Sequence, residues 1–355
     1  MSAEEIRELM NSSWRLTPVQ RVATLSRAVE MADAEGDLDL AFNARNRLVS
    51  ASYYVPGSLE LLTAFSWLLA RHDEDPERFR LHLWSYKWVV NALPAETAIS
   101  LEQIENVMAD LETRFTALGQ SDAPALKLRL IIALATRELD RAEELLNEWR
   151  AALEARRSNL NDCRACDEAT HVRALTIIGQ PEQALREAQG HIDGTSRCST
   201  QPHFTLPRLI EPAREFGPKG LASDIRRTGY RLVRDDAKFY SLISMFVRDS
   251  LRMGNIDRAL DLIAKHRGWR ESSSQEDSSL FSFSSGARET LLRCRHLGRD
   301  LPSSLADIGG NGRSADQVAD ELITQAEDLA ARFDKRNGNT WHSDRLASDA
   351  AFATR

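Results

Sequence analysis

Apolar residues recur along most of the chain at the three- or four-residue spacing that places them on one face of an α-helix. One such stripe follows Arg137 and consists of Leu139, Ala142, Leu146 and Trp149. No segment shows the alternation of β-branched and polar residues that is typical of a half-buried strand. The pattern therefore predicts an all-α protein.

The hydrophobic pattern also divides the chain into segments. We expect residues 1–267 to form one continuous body of helical repeats. Residues 268–286, which include the sequence WRESSSQEDSSLFSFSSG, are rich in serine and lack helical spacing, and this predicts a flexible loop or linker. Helical spacing returns in residues 287–337, and we expect residues 338–355 to form a less ordered tail that Trp341 can hold against the body.

Four short turns share the spacing Gly-x-x-x-x-Ala. In each of them the alanine is followed by apolar residues at helical intervals. They are GDLDLAF at Gly36, GQPEQAL at Gly179, GPKGLAS at Gly217 and GNIDRAL at Gly254. A fifth unit, RELDRAEELL, has Arg137 in place of the glycine. Glycine suits the left-handed backbone that often ends a helix, and the small alanine lets the next helix pack closely. The turns therefore predict antiparallel helical hairpins.

Three polar residues that follow these glycines are candidates for capping the next helix. They are Asp37, Gln180 and Asn255. Pro181, which comes next after Gln180, suits the first turn of a helix because its missing N–H has no helical partner there.

The turns GDLDLAF and GNIDRALDLI resemble the inter-helix turn of the tetratricopeptide-repeat family, which has the form G-D-Y-D-E-A-I. The resemblance is weaker at Gly217, and residues 60–135 lack the signature. It implies a right-handed α-solenoid of antiparallel helical hairpins that binds protein partners. The chain is also similar to a group of bacterial tetratricopeptide-like proteins that carry a CxxC pair and a later cysteine followed by Pro-His.

Composition narrows the function classes. The formal net charge of −7 argues against general binding to nucleic acid or anionic membranes, because both partners attract a basic surface. No run approaches the ~18 apolar residues that span a bilayer, and the start MSAEEIRELM lacks the segments of a signal peptide. We therefore expect a cytoplasmic protein, and the sequence does not predict its oligomeric state.

Three of the four cysteines lie in one stretch. Cys163 and Cys166 form a C-x2-C pair, and a C-x4-H pair, Cys198 and His203, follows after 31 residues. If the intervening segment is an antiparallel helical hairpin, both pairs meet at the same end of it. Three thiolates and one imidazole suit tetrahedral Zn²⁺ in a structural site with no open position. The spacing therefore predicts a structural zinc ion.

Other interpretations of this stretch stay open. His171 can replace His203 as the fourth ligand, and His191 is a weaker candidate. The cysteines can also be unrelated core thiols, or the CxxC pair can be a redox pair, although a redox motif of this kind is usually found beside β-strands. Cys294 stands alone and is expected to be a core thiol.

The family resemblance also implies a concave groove lined by the first helix of each repeat. Counting back from the turn glycines places four arginines there: Arg173, Arg214, Arg248 and Arg252. Such arginines can pair with carboxylates or phosphates of a peptide, so we expect an acidic protein or peptide partner. The alternative is that these arginines belong to an ordinary solvated face.

The chain carries no HExxH, P-loop, GxGxxG or GxSxG motif, and we predict that it is not an enzyme. The sequence favours a protein-interaction scaffold of the tetratricopeptide type with a structural zinc site. The alternative is a regulatory or signalling module that is switched by a peptide or small effector bound in the groove.

Overall fold

The computed structural model describes residues 2–53, 55, 60–81, 83–272, 275–307 and 312–354. Within these ranges all regular secondary structure is helical, which confirms the all-α prediction. No helix in the described ranges has both the length and the apolar character needed to cross a membrane.

The α-helices are numbered in chain order. The first five are α1 (Ala3–Ser12), α2 (Pro18–Glu35), α3 (Leu38–Ser52), α4 (Glu60–Glu74) and α5 (Trp84–Ala92). They are followed by α6 (Leu101–Ala117), α7 (Ala123–Thr136), α8 (Leu139–Ala155), α9 (Arg164–Ile177), α10 (Pro181–Glu187), α11 (Gln189–Ile192), α12 (Ile210–Phe216), α13 (Leu221–Val233), α14 (Tyr240–Arg252) and α15 (Ile256–His266). The last four are α16 (Trp269–Ser272), α17 (Asp277–His296), α18 (Ala315–Asn337) and α19 (Trp341–Ala353). Short 3-10 turns occupy Ser13–Arg15, Leu93–Ala95, Leu206–Leu209, Ala237–Phe239 and Ser303–Leu305.

The chain folds into two compact units. The N-terminal unit contains Met1–Leu93 and Arg270–Glu276, and the C-terminal unit contains Pro94–Trp269 and Asp277–Arg355. In the N-terminal unit α2 packs on α3 and α3 packs on α4. In the C-terminal unit the pairs are α7 with α8, α9 with α10, α12 with α13, and α14 with α15. Packing between sequence neighbours in this way is the arrangement of an α-solenoid.

The turn chemistry of the repeats explains where several helices end. Gly36, Gly179 and Gly254 have φ values of +71°, +86° and +74°, so each takes the left-handed conformation expected after a helix. The side chains of Asp37 and Asn255 then cap the next helix, each by accepting a backbone N–H at 3.0 Å. The predicted hairpin turns are therefore confirmed at these positions. Gln180 makes no side-chain cap.

Gly217 departs from the pattern. Its φ of −88° and ψ of 166° are extended, so the left-handed turn predicted there is wrong. A Cβ atom at this position would lie 2.5 Å from the carbonyl oxygen of Ala213. Glycine is therefore needed here because the backbone of Ala213 lies so close, and not because of an unusual φ. Arg137, by contrast, takes the left-handed conformation of the glycine that it replaces, with a φ of 68°.

Most of the serine-rich segment that the structure describes is helical. Residues 277–286 form the first half of α17, with Ser279, Ser284 and Ser285 buried, and only residues 273–274 of the expected loop lie outside the described ranges. The hydroxyl of Ser284 donates to the carbonyl of Leu280 at 2.7 Å, which satisfies its polar group inside the helix. The small side chains let α17 pack closely on α14. The prediction of a loop is therefore wrong for residues 277–286, where small side chains serve close packing between helices.

The expected tail is also helical. Asp334 accepts the backbone N–H groups of His342 and Ser343 at 2.9 Å each, and this fixes the start of α19. Helix α19 then packs on α17 and α18, with Leu346 buried between them. Trp341 holds the segment as expected, but the last helix is part of the C-terminal unit and not a disordered end.

Candidate functional site

The three clustered cysteines come together at one end of the α9–α10 hairpin. Cys163 is the N-cap residue of α9, and Cys166 lies in the first turn of that helix. Cys198 lies in the loop that follows α11. The three Sγ atoms all lie within 4.8 Å of one another, so the three thiols can bind one metal ion. The structure thus brings together three of the four residues predicted as ligands.

Two of the thiols lie close to each other and to a hydroxyl group. The Sγ atoms of Cys166 and Cys198 are 3.6 Å apart, which is far longer than the ~2.05 Å of a disulfide bond. The hydroxyl of Thr200 lies 3.5 Å from the first sulfur and 3.4 Å from the second. Cys163 is exposed to solvent, while Cys166 and Cys198 are half-buried. An ion can therefore reach the cluster from the Cys163 side.

The two inner thiols differ in acidity. Burial raises the pKa of Cys166 to about 12, and the hydrogen bond from Thr200 only partly opposes this. Burial also acts to raise the pKa of Cys198, but hydrogen bonds from the Thr200 side chain and backbone outweigh it and lower that pKa to about 7. Of these two thiols, Cys198 therefore supplies a thiolate more readily near neutral pH.

A buried ion-pair network holds the segment that leads into the first two cysteines. Lys127 of α7 donates to Asp162 at 2.7 Å and to Asp167 at 2.8 Å. Arg157 reaches Asp167 from the other side at 2.7 Å. Burial alone would lower the pKa of Lys127, but the charges of Asp162 and Asp167 raise it, so the ammonium stays charged. The N-terminus of α9 is therefore fixed to α7 independently of any metal.

A second set of contacts holds the loop that carries Cys198. The hydroxyl of Ser196 donates to the carboxylate of Glu168 on α9, and the backbone N–H of Ser196 donates to the carbonyl of Gly190 at 2.8 Å. A Cβ atom at Gly190 would lie 2.9 Å from the Cβ of Ser196, so only glycine permits this approach. The sequence pattern missed Glu168, Gly190 and Ser196, although each positions the cysteine loop.

The histidines proposed as fourth ligands lie elsewhere. The ring of His203 stacks on Phe239 with 5.4 Å between centroids, and His203 is not part of the cysteine group. The ring of His171 lies against Trp149, with 4.4 Å between centroids, and burial lowers the pKa of His171 to about 4. His191 is buried, with its Nε2 atom 3.9 Å from Glu168. The group of thiols in the structure therefore does not include the predicted fourth ligand, His203.

The arginines predicted to line a groove have partners within the chain. Arg248 is 11% exposed and pairs with Glu289 and Asp349, so it is an internal ion-pair residue and not a surface ligand. Arg214 pairs with Asp249, and Arg252 pairs with Glu211 at 3.0 Å. The remaining member of the set, Arg173, lies on α9 close enough to Arg137 and Arg208 for its charge to lower the pKa of both. Spacing alone missed this sharing of charges because the partners are distant in sequence.

No protein-family model matches the chain. A search of curated proteins likewise found none that matches it. The fold class and the candidate metal site therefore rest on the chain's own residues and geometry.

Proposed function

We propose that this protein is a helical-hairpin scaffold that binds an acidic protein or peptide partner, and that its three clustered cysteines hold a structural zinc ion. The observation that carries the proposal is the convergence of Cys163, Cys166 and Cys198 within 4.8 Å at the end of one hairpin. Thiolate ligands favour zinc among the common divalent ions. A cytoplasmic location suits this role, because a reducing compartment keeps thiols free to bind metal.

The spacing of the sulfur atoms supports a tetrahedral ion. Zn–S bonds of about 2.3 Å place two sulfur ligands of a tetrahedron about 3.8 Å apart. The Sγ atoms of Cys166 and Cys198 are 3.6 Å apart, which fits this geometry with little movement. The fourth ligand would be a group other than His203, because the His203 ring is stacked on Phe239. A water molecule, or a side chain that a partner supplies, fits the exposed side near Cys163.

The ion would act as a clamp between two parts of the chain. Cys163 and Cys166 belong to the start of α9, whereas Cys198 belongs to the loop after α11. A bound metal would close this loop onto the helix and add its binding free energy to folding. The hairpin would then present a fixed surface to a partner.

The clamp can be tested by hydrogen exchange of the full-length protein before and after removal of metal with a chelator. We expect faster exchange in residues 189–203, where Cys198 would be released, and unchanged exchange in α2 and α3 of the other unit. The variant Cys198→Ser should reproduce the chelated pattern without chelator. Equal exchange in all three samples would refute the structural ion.

The acidic partner is inferred from the arginines that keep partial exposure. Arg252 is 25% exposed, and its partner Glu211 is 62% exposed, so an incoming carboxylate can exchange with Glu211 at small cost. The guanidinium fork of arginine also suits a bidentate carboxylate contact.

Partner binding can be tested by affinity capture with tagged wild-type protein and Arg252→Gln, followed by a titration of the captured partner. We expect the variant to bind about tenfold more weakly, as for loss of one charged hydrogen bond. Arg141→Gln is the matched control, because Arg141 also forms an exposed pair, with Glu144 at 2.9 Å, but lies on the second helix of its hairpin. Equal affinities for all three proteins would contradict the proposed surface.

A further inference from the structure

A cavity of about 240 Å³ lies where the end of α14 meets α19, within the C-terminal unit. One of its lining residues, Arg252, ends α14, and the others belong to α19: Arg345, Ser348, Asp349, Ala351 and Phe352. Arg345, Asp349 and Phe352 follow one another at spacings of four and three residues, so they share one face of α19. The cavity therefore brings two guanidinium groups and an aromatic ring to one place.

Arg345 has hydrogen-bond donors that the fold leaves unused. Its Nε atom lies 3.1 Å from the Oδ1 atom of Asp349, and its side chain is 40% exposed. Within the described ranges no group accepts a hydrogen bond from either of its Nη atoms. Both terminal nitrogens are therefore available to a ligand in the cavity.

Arg252 brings the second guanidinium group. Its Nη1 atom lies 3.0 Å from the Oε1 atom of Glu211, whose side chain is 62% exposed. An ion pair this exposed contributes little free energy, so Glu211 can turn into solvent when another anion arrives. The guanidinium carbon of Arg252 lies 5.9 Å from the ring centroid of Phe352, which places the charged and the aromatic walls side by side.

The one carboxylate that lines the cavity is already neutralised. Asp349 is nearly fully buried and accepts from Arg248, on the side of α14, at 2.6 Å. Its other oxygen faces Arg345. Once Glu211 turns away, Arg252 is left as a single cation without a counter-ion. The charge balance therefore fits a monoanion, such as a carboxylate, better than a phosphate dianion.

The aromatic wall adds a second requirement. Phe352 is 43% exposed to solvent although it is a large apolar residue, and an apolar ligand group that covers its ring would gain from the hydrophobic effect. The cavity has the volume of roughly eight water molecules at ~30 Å³ each. This is enough for a small molecule and too little for a folded segment of another protein.

We propose that this cavity binds a small organic acid in which one carboxylate stands next to an apolar group. The carboxylate would lie between Arg252 and Arg345, because a guanidinium group can donate two parallel N–H groups to carboxylate oxygens. The apolar group would cover the ring of Phe352. The proposal goes beyond the protein partner inferred above, since neither Arg345 nor Phe352 belongs to that surface, and it does not depend on the zinc ion.

The test is a titration of the full-length protein with phenylacetate, followed by ligand-observed NMR at constant ionic strength. We expect saturable binding with a Kd of about 1 mM, as for a tight-fitting ligand of this size. Two control compounds each lack one of the recognised parts: phenylacetamide is neutral, and acetate has no apolar ring. Each should bind at least about tenfold more weakly than phenylacetate.

Two variants assign the binding to this cavity. Arg345→Gln should weaken phenylacetate binding about tenfold, while Asp349 keeps its contact with Arg248 and the helices stay joined. Phe352→Ala changes an exposed side chain, so it should fold normally. It should weaken phenylacetate binding and leave acetate binding unchanged. Arg141→Gln, which removes an exposed arginine elsewhere, should bind phenylacetate as wild type does.

Equal binding of phenylacetate to wild type and to the folded Arg345→Gln and Phe352→Ala variants would overturn the proposal. So would the absence of saturable binding to wild type, or equal binding of phenylacetamide. Displacement of phenylacetate by inorganic phosphate at a lower concentration than unlabelled phenylacetate needs would contradict the choice of a monoanion. No protein partner is present in this titration, so its outcome is separate from that of the capture experiment with Arg252→Gln.

Discussion

Arg248 of α14 donates to Asp349 of α19 across 2.6 Å, and the same nitrogen contacts Glu289 of α17 at 2.5 Å. Glu289 and Asp349 are nearly fully buried, with side chains 0% and 5% exposed. The last α-helix thus pairs with an arginine that the repeat pattern predicted to contact a separate binding partner. An ion pair of this kind joins three helices of the C-terminal unit.

Arg248→Met should lower the free energy of unfolding by about 3 kcal/mol, because it leaves Glu289 buried without its main counter-ion. Asp349 keeps a second partner, Arg345, at 3.1 Å, so Glu289 dominates the loss. Chemical denaturation measures the effect. Arg141→Gln, which breaks only exposed pairs, should change stability by less than about 0.5 kcal/mol.

The double variant Arg248→Met with Glu289→Gln tests the cause of that loss. Removing both charges should recover a large part of the stability, since the unpaired carboxylate is gone. Strictly additive losses from the two substitutions would show that the pair is not coupled.

Gly286→Ala should destabilise the C-terminal unit by about 1–2 kcal/mol, because added volume at a close helix contact forces the helices apart. A Cβ atom there would lie 3.0 Å from the Cβ of Ser244 and 3.3 Å from its Cα, so α14 itself must move. Gly268→Ala is the matched control, since nothing lies within 4 Å of its added Cβ. Thermal unfolding of both variants decides the point: equal Tm values would mean that α17 does not pack on α14 as closely as described.

Stability should fall in mild acid through His266. This side chain is fully buried, and its Nε2 atom lies 3.1 Å from the Tyr230 hydroxyl. Burial, and then the charge of Lys265, lowers the pKa of His266 to about 4, below the ~6.5 of an unfolded chain. The unfolded state therefore binds the proton more readily. The contribution of neutral His266 to stability is complete above about pH 6.5 and is lost as the pH falls toward about 4. The whole loss is about 3 kcal/mol.

Denaturation at several pH values between about 7 and 4.5 checks this dependence. Other titratable groups also change protonation in acid, so the informative quantity is the difference between wild type and His266→Gln. We expect a shallower decline for that variant and an unchanged decline for His296→Gln, whose side chain is exposed. Parallel curves for wild type and His266→Gln would contradict the assignment.

Local chemistry made the helices and their turns predictable. Gly36 and Asp37 adopt the left-handed turn and the helix cap that their types favour, because both effects act within a few residues. The serine-rich half of α17 was not predictable in this way. By composition its small residues predict a linker. In the structure they allow close packing against α14, which is remote in sequence.

The candidate site shows the same limit. The CxxC spacing and the later Cys198 were enough to predict three converging thiols, since a hairpin returns the chain to its starting end. The position of His203 could not be predicted from the spacing, because its ring stacks on Phe239, a residue outside the motif. Arg248 likewise paired with residues from two later helices.

His203→Ala should retain metal, because its imidazole is not part of the thiol cluster. We expect the Tm of wild type and of this variant to drop when a chelator is added, whereas Cys163→Ser should show a lower starting Tm and little further change. Loss of the chelator response in His203→Ala would make His203 the fourth ligand after all.

Elemental mass spectrometry of protein purified without chelator shows whether the three clustered cysteines hold a metal ion. We predict one zinc per chain in wild type, its loss in Cys198→Ser, and its retention in Cys294→Ser, where the altered thiol is buried away from the cluster. Metal-free wild-type protein, or equal zinc in the wild type and Cys198→Ser, would rule out the proposed zinc site.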